Sequence, residues 1–152
     1  MKHFIQSLFY NVEQTARLSR IAITAYFQEH AQEVISFDEF IILETVYCRP
    51  EICQRDLAKL ILKGTSHTSK FLAALEKKGM IERPVDKKGN RIVRKIVITK
   101  KGMESYNFAF NIASKFAEEI GASIGEKEAA DCEIFLNKIR NTIQESRNIV
   151  FD

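Results

Sequence analysis

Residues 64–79 decide the fold, and their sequence is Gly-Thr-Ser-His-Thr-Ser-Lys-Phe-Leu-Ala-Ala-Leu-Glu-Lys-Lys-Gly. Apolar or β-branched residues fall on one face at helical spacing; they are Thr68, Phe71, Leu72 and Leu75. Short polar side chains and one cation fall on the opposite face; they are Ser66, His67, Ser69 and Lys70. Thr65 or Ser66 is expected to cap the amino end, and Gly79 to take the left-handed turn after the carboxyl end. The stretch therefore predicts a helix that presents a short polar surface.

The neighbouring residues predict a helix-turn-helix followed by a β-hairpin. Residues 54–62 form a short amphipathic pattern upstream of the central helix. Downstream, β-branched runs at 80–85 and 92–98 flank residues 86–91, which contain the Gly and Asn of a hairpin turn. The pair Glu51-Ile52 is a candidate third strand at the base of this hairpin. A helix-turn-helix that leads into a hairpin with a basic tip is the winged-helix plan.

Positive charge is concentrated in this middle region. Residues 54–101 contain fourteen Lys or Arg against four Asp or Glu, a net charge of +10. The remaining residues contain nine against sixteen, a net charge of −7, so the modest overall charge of +3 conceals the contrast. A strongly basic region between acidic flanks is the electrostatic pattern expected of a protein that binds a polyanion such as DNA.

Two helices are predicted before the basic region. Residues 4–30 have helical apolar spacing with no Gly or Pro, and predict one long helix. Ser36 and Glu39 have the spacing of a capping box, in which the serine hydroxyl and the glutamate carboxylate each accept a backbone N–H. The helix that this box opens is expected to end before Pro50.

Two more helices are predicted after the hairpin. Thr99 is expected to cap a helix over residues 101–120, and Gly121 and Gly125 then break the pattern. A last helix is predicted over about 126–150. Its apolar stripe is formed by Ala129, Cys132, Leu136, Ile139 and Ile143.

The expected fold class is mainly α with a small β-wing. A winged helix-turn-helix lobe for DNA binding, residues 36–100, is flanked by helical arms at 1–33 and 101–152 within a single domain. Ten of the eleven phenylalanines lie outside residues 54–99. The arms thus offer more apolar surface than a small lobe could bury, which predicts a homodimer built from them. Two-fold symmetry would place two recognition helices one DNA turn, ~34 Å, apart.

Three segments resemble the MarR (multiple antibiotic resistance regulator) family of bacterial transcription regulators. They are residues 75–83 (Leu-Glu-Lys-Lys-Gly-Met-Ile-Glu-Arg), the hairpin residues 87–91, and residues 98–102 (Ile-Thr-Lys-Lys-Gly). Residues 54–58 are similar to the preceding helix of that family, and chain length and flanking helices also match. The resemblance implies a dimeric winged-helix protein that binds double-stranded DNA at a pseudo-palindromic operator.

The resemblance also implies regulation by a signal. In this family a repressor is commonly released by a phenolic or other lipophilic anion that lodges between the dimer arms and the DNA-binding lobe, and some members sense oxidants through cysteine.

The chain departs from the family pattern at two places in the predicted site. The family usually has Asp-x-Arg at the wing, where this chain has Gly89-Asn90-Arg91, so Arg91 is the best match to the wing arginine and Arg94 the alternate. The family favours Ser or Thr where this chain has Cys53.

Eleven residues are predicted to contact DNA. Those assigned to the major groove are Ser66, His67, Ser69 and Lys70, because their donors and acceptors match base edges. Thr65 is expected to fix the register on the backbone. Hairpin residues are expected to lie along phosphates, with Arg91 entering the minor groove; they are Lys87, Lys88, Asn90 and Arg91. Gln54 and Arg55, at a helix amino end, are expected to contact phosphates.

The three cysteines do not form a disulfide framework, because their number is odd and their spacing irregular. Cys53 is placed where a helix cap is expected, and the nearby Arg49 and Arg55 would lower its thiol pKa, so Cys48 and Cys53 form a candidate redox switch. The alternative is that both are small residues that fill space. Cys132 is expected to lie in the core.

Other functional classes receive less support from the sequence. His3, His30 and His67 share no metal-ligand spacing, and no cofactor is expected. There is no nucleophile elbow or phosphate loop, so catalysis is not expected. No apolar run approaches the ~18 residues of a membrane span, and the first residues do not resemble a signal peptide, which predicts a cytoplasmic protein. A winged-helix module that binds protein instead of DNA remains the alternative; it would expose apolar anchors on the recognition helix.

Overall fold

The computed structural model describes residues 3–31, 34–88 and 91–147 of the 152-residue chain. A 3₁₀ turn at Phe4–Gln6 begins this part of the chain. The α-helices are α1 (Leu8–His30), α2 (Phe37–Cys48), α3 (Gln54–Leu60), α4 (Thr65–Lys77), α5 (Lys100–Gly121) and α6 (Glu126–Arg147). The strands are β1 (Ile81–Glu82), β2 (Val85–Lys88), β3 (Arg91–Arg94) and β4 (Val97–Ile98). The predicted class, mainly α with a small β-wing, is confirmed.

The first predicted helix is interrupted near its start. The sequence predicted one helix over residues 4–30, but Ser7 has an extended backbone and serves as the N-cap of α1. Its hydroxyl oxygen accepts a hydrogen bond from the Tyr10 N–H at 3.2 Å. Because a cap residue leaves the helical path, the preceding residues form a separate 3₁₀ turn.

The capping box of α2 is confirmed in both directions. The Ser36 hydroxyl oxygen accepts the Glu39 N–H at 3.3 Å, and the Glu39 carboxylate accepts the Ser36 N–H at 2.9 Å. The helix ends at Cys48, two residues before Pro50. Its apolar face forms much of the core, in which the fully buried side chains include Ile42, Leu43, Leu57, Leu72, Leu75 and Ile81.

The central helix α4 packs as predicted, but its amino end differs. Thr68, Leu72 and Leu75 are completely buried, while Phe71 is half-buried. The N-cap is Gly64, which makes no side-chain bond, so neither Thr65 nor Ser66 is the cap. Gly79 has a φ of +71°, as the sequence predicted for the residue that follows the helix.

The hairpin is divided into two short ladders. β1 pairs with β4, and β2 pairs with β3 in the register Val85↔Arg94 and Lys88↔Arg91. The two predicted strands are therefore each broken in the middle, next to Pro84, whose missing N–H cannot join a ladder. The candidate third strand is displaced by one residue: Cys53, not Glu51-Ile52, forms a single bridge with Lys95.

The start of α5 is joined to the end of α4. The Thr99 hydroxyl accepts the Gly102 N–H at 3.0 Å, which confirms the predicted cap, and donates to the Gly79 carbonyl at 2.7 Å. Gly102 lies against the Met80 carbonyl, and a Cβ at this position would overlap that oxygen. This close approach gives a structural reason for the glycine in the Ile-Thr-Lys-Lys-Gly segment.

The apolar surface of the last two helices is only partly covered within the chain. On α5, Tyr106, Ala109 and Ile112 are buried, whereas Phe108 and Phe110 are exposed. On α6, Ile134 is 69% exposed, and Cys132, which was expected in the core, is also exposed. The expected core position of Cys132 is thus wrong for the single chain, because nothing within the described residues covers this helix closely. In the same residues, no helix is both long and apolar enough to cross a membrane.

Candidate nucleic-acid interface

The outer face of α4 is short, polar and accessible. Ser66, His67 and Lys70 are exposed, while Thr65 and Ser69 are half-buried at the edges of the same face. The buried face lies directly opposite and fixes the helix to the core. On the outer face, the first two turns carry no long side chain except Lys70. A surface of this kind fits the width of a DNA major groove, which admits an α-helix.

Contacts at both ends hold α4 in position. At its amino end, the Lys63 ammonium lies 5.4 Å from the centre of the Phe71 ring. Just past its carboxyl end, the Lys78 ammonium lies 2.8 Å from a carboxylate oxygen of the buried Glu39, the same group that closes the capping box of α2. The recognition helix candidate is therefore tied to α2 through a buried acid.

The hairpin base is tied to α4 by a second ion pair. The Arg83 guanidinium hydrogen-bonds the Glu76 carboxylate, with one N–O distance of 3.0 Å. This hydrogen bond, with a smaller contribution from the charge of Arg94, holds the pKa of Glu76 below its usual range despite an opposing effect of burial. The carboxylate therefore stays ionised at neutral pH, and the hairpin keeps a fixed orientation relative to α4.

The predicted hairpin contacts lie at the far end of the second ladder. Lys87 and Lys88 are the last residues of β2, and Arg91 is the first residue of β3. Arg91 thus lies beside the tip, whereas Arg94 lies at the base of the ladder opposite Val85. Asn90, like Gly89 of the predicted turn at 86–91, lies outside the described residues, whereas the other residues of that turn belong to β2 and β3. The register favours Arg91 as the wing arginine over its alternate.

The first turn of α3 contains the other two predicted contacts. Arg55 is exposed and Gln54 half-buried, directly after the N-cap Cys53. The Cys53 thiol donates to the Asp56 carboxylate at 3.1 Å, and the Cys48 thiol lies 4.0 Å from the Glu44 carboxylate. Cationic neighbours favour a thiolate, whereas both of these thiols contact carboxylates. The thiol contacts therefore give no support to the redox switch, which stays a prediction.

A pocket lies between α1, α2 and α5, and the sequence did not identify its lining. Its volume is about 380 Å³. The lining residues are Ala16, Ser19, Arg20, Ile23, Phe37, Ala113 and Phe116. The wall is mainly apolar and contains a single cation, Arg20. Helical periodicity could place these residues on inward faces, but it could not show that a space is left between them.

The cation of this pocket belongs to a three-residue charge network that sequence reasoning also missed. The Arg20 guanidinium contacts the Asp38 carboxylate, and the Lys63 ammonium lies 3.0 Å from the same oxygen, Oδ1. Burial raises the pKa of Asp38, but the hydrogen bonds from Arg20 and Lys63 outweigh this effect and hold the pKa below its usual range. Asp38 is therefore an anion throughout the physiological pH range.

This pKa shift predicts how the stability of the protein depends on pH. An acid with a lowered folded-state pKa stabilises the protein above its unfolded-state pKa and loses that contribution as the pH falls through the folded value. We expect wild type to exceed Asp38→Asn by a constant free energy of unfolding between pH 5 and 8, and the difference to shrink below about pH 4. Urea denaturation at pH 8, 7, 5 and 3 measures the free energy of unfolding of both proteins. A difference that changes between pH 8 and 5 would contradict the assignment.

No group of three His, Cys, Asp or Glu in the described part of the chain could hold a metal ion. His67 lies alone on the outer face of α4, and its position suits contact with a polar partner rather than metal binding.

A helix-turn-helix with a polar second helix, followed by an antiparallel hairpin, defines a winged-helix protein. Residues 35–93 of the chain match the MarR family model. The predicted resemblance to MarR-family transcriptional regulators is confirmed over these residues.

Three solved structures share the fold over most of the chain. The MarR protein of Peptoclostridium difficile has a TM-score of 0.80 at 17% identity, over 96% of this chain and 94% of that one. The MepR–DNA complex of S. aureus has a TM-score of 0.76 at 20% identity, over 93% and 100%. The organohalide-sensing regulator RdhR-CbdbA1625, bound to 2,4-dichlorophenol, has a TM-score of 0.75 at 22% identity, over 93% and 89%. Among curated proteins the sequence has no significant match.

Proposed function

We propose that the protein is a sequence-specific, DNA-binding transcription regulator that acts as a homodimeric repressor and is released by a small molecule. The observation that carries the proposal is the outer face of α4, where Ser66, His67 and Lys70 are exposed on a helix whose other face is anchored in the core. Hydroxyl, imidazole and ammonium groups match the donors and acceptors of base edges. The face has no apolar anchor, which disfavours a protein partner.

The basic residues near α4 supply the part of the DNA affinity that does not depend on the DNA sequence. Arg55 begins α3, and Lys87, Lys88 and Arg91 lie at the tip end of the hairpin. Phosphate contacts of this kind fix the position of a protein on the duplex, while contacts to base edges provide specificity. In our proposal α4 enters the major groove and the hairpin follows the adjacent backbone, with Arg91 in the minor groove.

The uncovered apolar residues support a dimer. Ile134 and Phe135 on α6, Phe108 on α5 and Ile21 on α1 are exposed within one chain. So much exposed apolar surface on a single protomer marks an interaction site. We propose that a second copy covers it across a two-fold axis, so that two copies of α4 face the same side of the DNA.

The pocket between α1, α2 and α5 supports a small-molecule signal. Its apolar wall and its one cation, Arg20, suit an aromatic anion. RdhR-CbdbA1625, which shares the fold, has been crystallised with 2,4-dichlorophenol. We propose a phenolic or other lipophilic effector for this chain, and prefer it to an oxidative signal because both Cys48 and Cys53 contact carboxylates.

Binding to random-sequence DNA over a salt series, followed by selection of a preferred site, tests the proposal. We expect a steep decrease of affinity with salt, because counterions are released from the phosphates, and a selected site with two-fold symmetry. Weak binding without a selected site would contradict specific recognition and favour the protein-binding alternative. A selected site without symmetry would contradict the dimer.

A further inference from the structure

We infer that Arg20, Asp38 and Lys63 form a charged relay that couples the pocket between α1, α2 and α5 to the turn that leads into α4. The class of ligand that would operate the relay is an aromatic carboxylate or phenolate. The role of the ligand depends on the proposed function, whereas the mechanical coupling between the pocket and α4 does not.

The first link is at the pocket wall. Arg20 lines the pocket, and its guanidinium carbon lies 4.9 Å from the centre of the Phe37 ring, which lines the same space. The guanidinium also contacts Asp38 Oδ1, on the first turn of α2. A single side chain of α1 is therefore shared between the pocket and a neighbouring helix.

The second link is a single oxygen atom. Asp38 Oδ1 contacts both the Arg20 guanidinium and the Lys63 ammonium, the latter at 3.0 Å. The three side chains are each between 24% and 42% exposed. Because the two cations use the same acceptor, a change in the position of one alters the environment of the other directly.

The third link reaches α4. Lys63 follows Leu62, which has a left-handed backbone with a φ of +54°, and precedes Gly64, the N-cap of α4. The Lys63 ammonium also lies over the Phe71 ring. Since Gly64 contributes no side-chain cap, the contacts of Lys63 help to hold the first turn of the helix. Ser66 and His67 lie on that turn.

An anion in the pocket would compete with Asp38 for the guanidinium. The wall contains no other charged residue, so a carboxylate or phenolate there has Arg20 as its charged partner. Withdrawal of Arg20 leaves Asp38 held by Lys63 alone and loosens the link between α1 and the turn before α4. Ion pairs with this degree of exposure change an equilibrium by about 1.5- to 5-fold, so the relay acts as a modest bias.

A matched pair of variants tests the relay. Arg20→Met removes a charge that contacts α2, whereas Arg17→Met removes the same charge three residues earlier, where the arginine pairs with Glu13 on its own helix. We expect Arg20→Met to weaken DNA binding about two- to five-fold and to accelerate hydrogen exchange of the Thr68 amide, which donates to the Gly64 carbonyl at 3.0 Å in the first turn of α4. Arg17→Met should change neither.

Arg20→Met in a protein that already carries Lys63→Met tests whether the coupling passes through Lys63. If the effect passes through Lys63, Arg20→Met has no further effect on DNA affinity or amide exchange when Lys63→Met is already present. Lys59→Met, a charge loss at an exposed position on α3, is the control for Lys63→Met. Equal effects of Arg17→Met and Arg20→Met, or additive effects of Arg20→Met and Lys63→Met, would overturn the relay.

Hydrogen exchange separates failure of the relay from failure of the proposed function. If the protein does not bind DNA, the exchange measurements on these variants still decide whether Arg20 is coupled to α4. Sodium benzoate is the probe for the ligand class, and we expect it to accelerate exchange of the Thr68 amide in wild type but not in Asp38→Asn. No response of wild type to benzoate or 2,4-dichlorophenol would overturn the ligand class, and an equal response of Asp38→Asn would overturn the route.

Discussion

Lys70→Ala is expected to weaken binding to the selected DNA site about 5- to 150-fold, whereas Lys77→Ala on the same helix should weaken it much less. Both lysines are exposed, but Lys70 lies on the second turn of α4, beside Ser66 and His67, and Lys77 is the last residue of the helix. The size of the expected effect is that of a good base contact, about 1–3 kcal/mol. Fluorescence anisotropy with a labelled duplex measures it.

The salt dependence of the two variants shows which DNA group Lys70 contacts. Loss of a base contact leaves the slope of log K against log[salt] unchanged and relaxes specificity, whereas loss of a phosphate contact lowers its magnitude by about 0.9. Because each variant removes one positive charge, a general electrostatic effect would weaken both equally. Equal loss of affinity in Lys70→Ala and Lys77→Ala would contradict the orientation of α4 that we propose.

Gly102→Ala is expected to destabilise the protein by about 1–3 kcal/mol, toward the upper end of that range. The added Cβ would overlap the Met80 carbonyl oxygen and lie 2.8 Å from Ile98 Cγ2, at the point where Thr99 joins α5 to the end of α4. Because the overlapping Met80 atom belongs to the backbone, relaxation at this position is restricted. Urea denaturation measures the free energy of unfolding, and DNA binding should also weaken, because the hairpin begins at this junction.

Gly121→Ala is the matched control for that variant. Gly121 is the last residue of the same helix, and a Cβ there meets no atom within 4 Å. Alanine favours a helix over glycine by up to about 1 kcal/mol, so this variant should be neutral or slightly stabilised. Equal destabilisation by the two substitutions would show that helix propensity, and not the contact with Met80, decides the effect.

Local hydrogen bonds were the part of the fold that the sequence predicted best. The capping box of Ser36 and Glu39, the Thr99 cap and the left-handed Gly79 each depend on residues within three or four positions. Ser7 uses the same local chemistry, yet its cap was missed because apolar periodicity continued across it. Pro84 marks the break in the hairpin strands, because proline interrupts a strand ladder. The strand prediction used only the pattern of apolar residues and therefore missed this break.

Contacts between residues far apart along the chain could not be predicted from the sequence. The charge network joins residues that are far apart along the chain, namely Arg20, Asp38 and Lys63. No spacing in the sequence predicts that both cations contact the same carboxylate oxygen. Cys132 shows a different limit. Its apolar stripe predicts that α6 is covered, but periodicity does not say by which chain, and within one chain the residue is exposed. The polar face of α4 was predicted correctly because helical spacing alone separates it from Thr68, Leu72 and Leu75.

Hydroxyl-radical footprinting on the selected site tests most directly the claim that two copies of α4 bind DNA in a symmetric dimer. We predict two protected segments on one face of the duplex, with centres about 10 base pairs apart. In the triple variant Ser66→Ala, His67→Ala, Lys70→Ala, protection should be lost at both segments together. A single asymmetric segment, or a footprint that the triple variant leaves unchanged, would contradict the account.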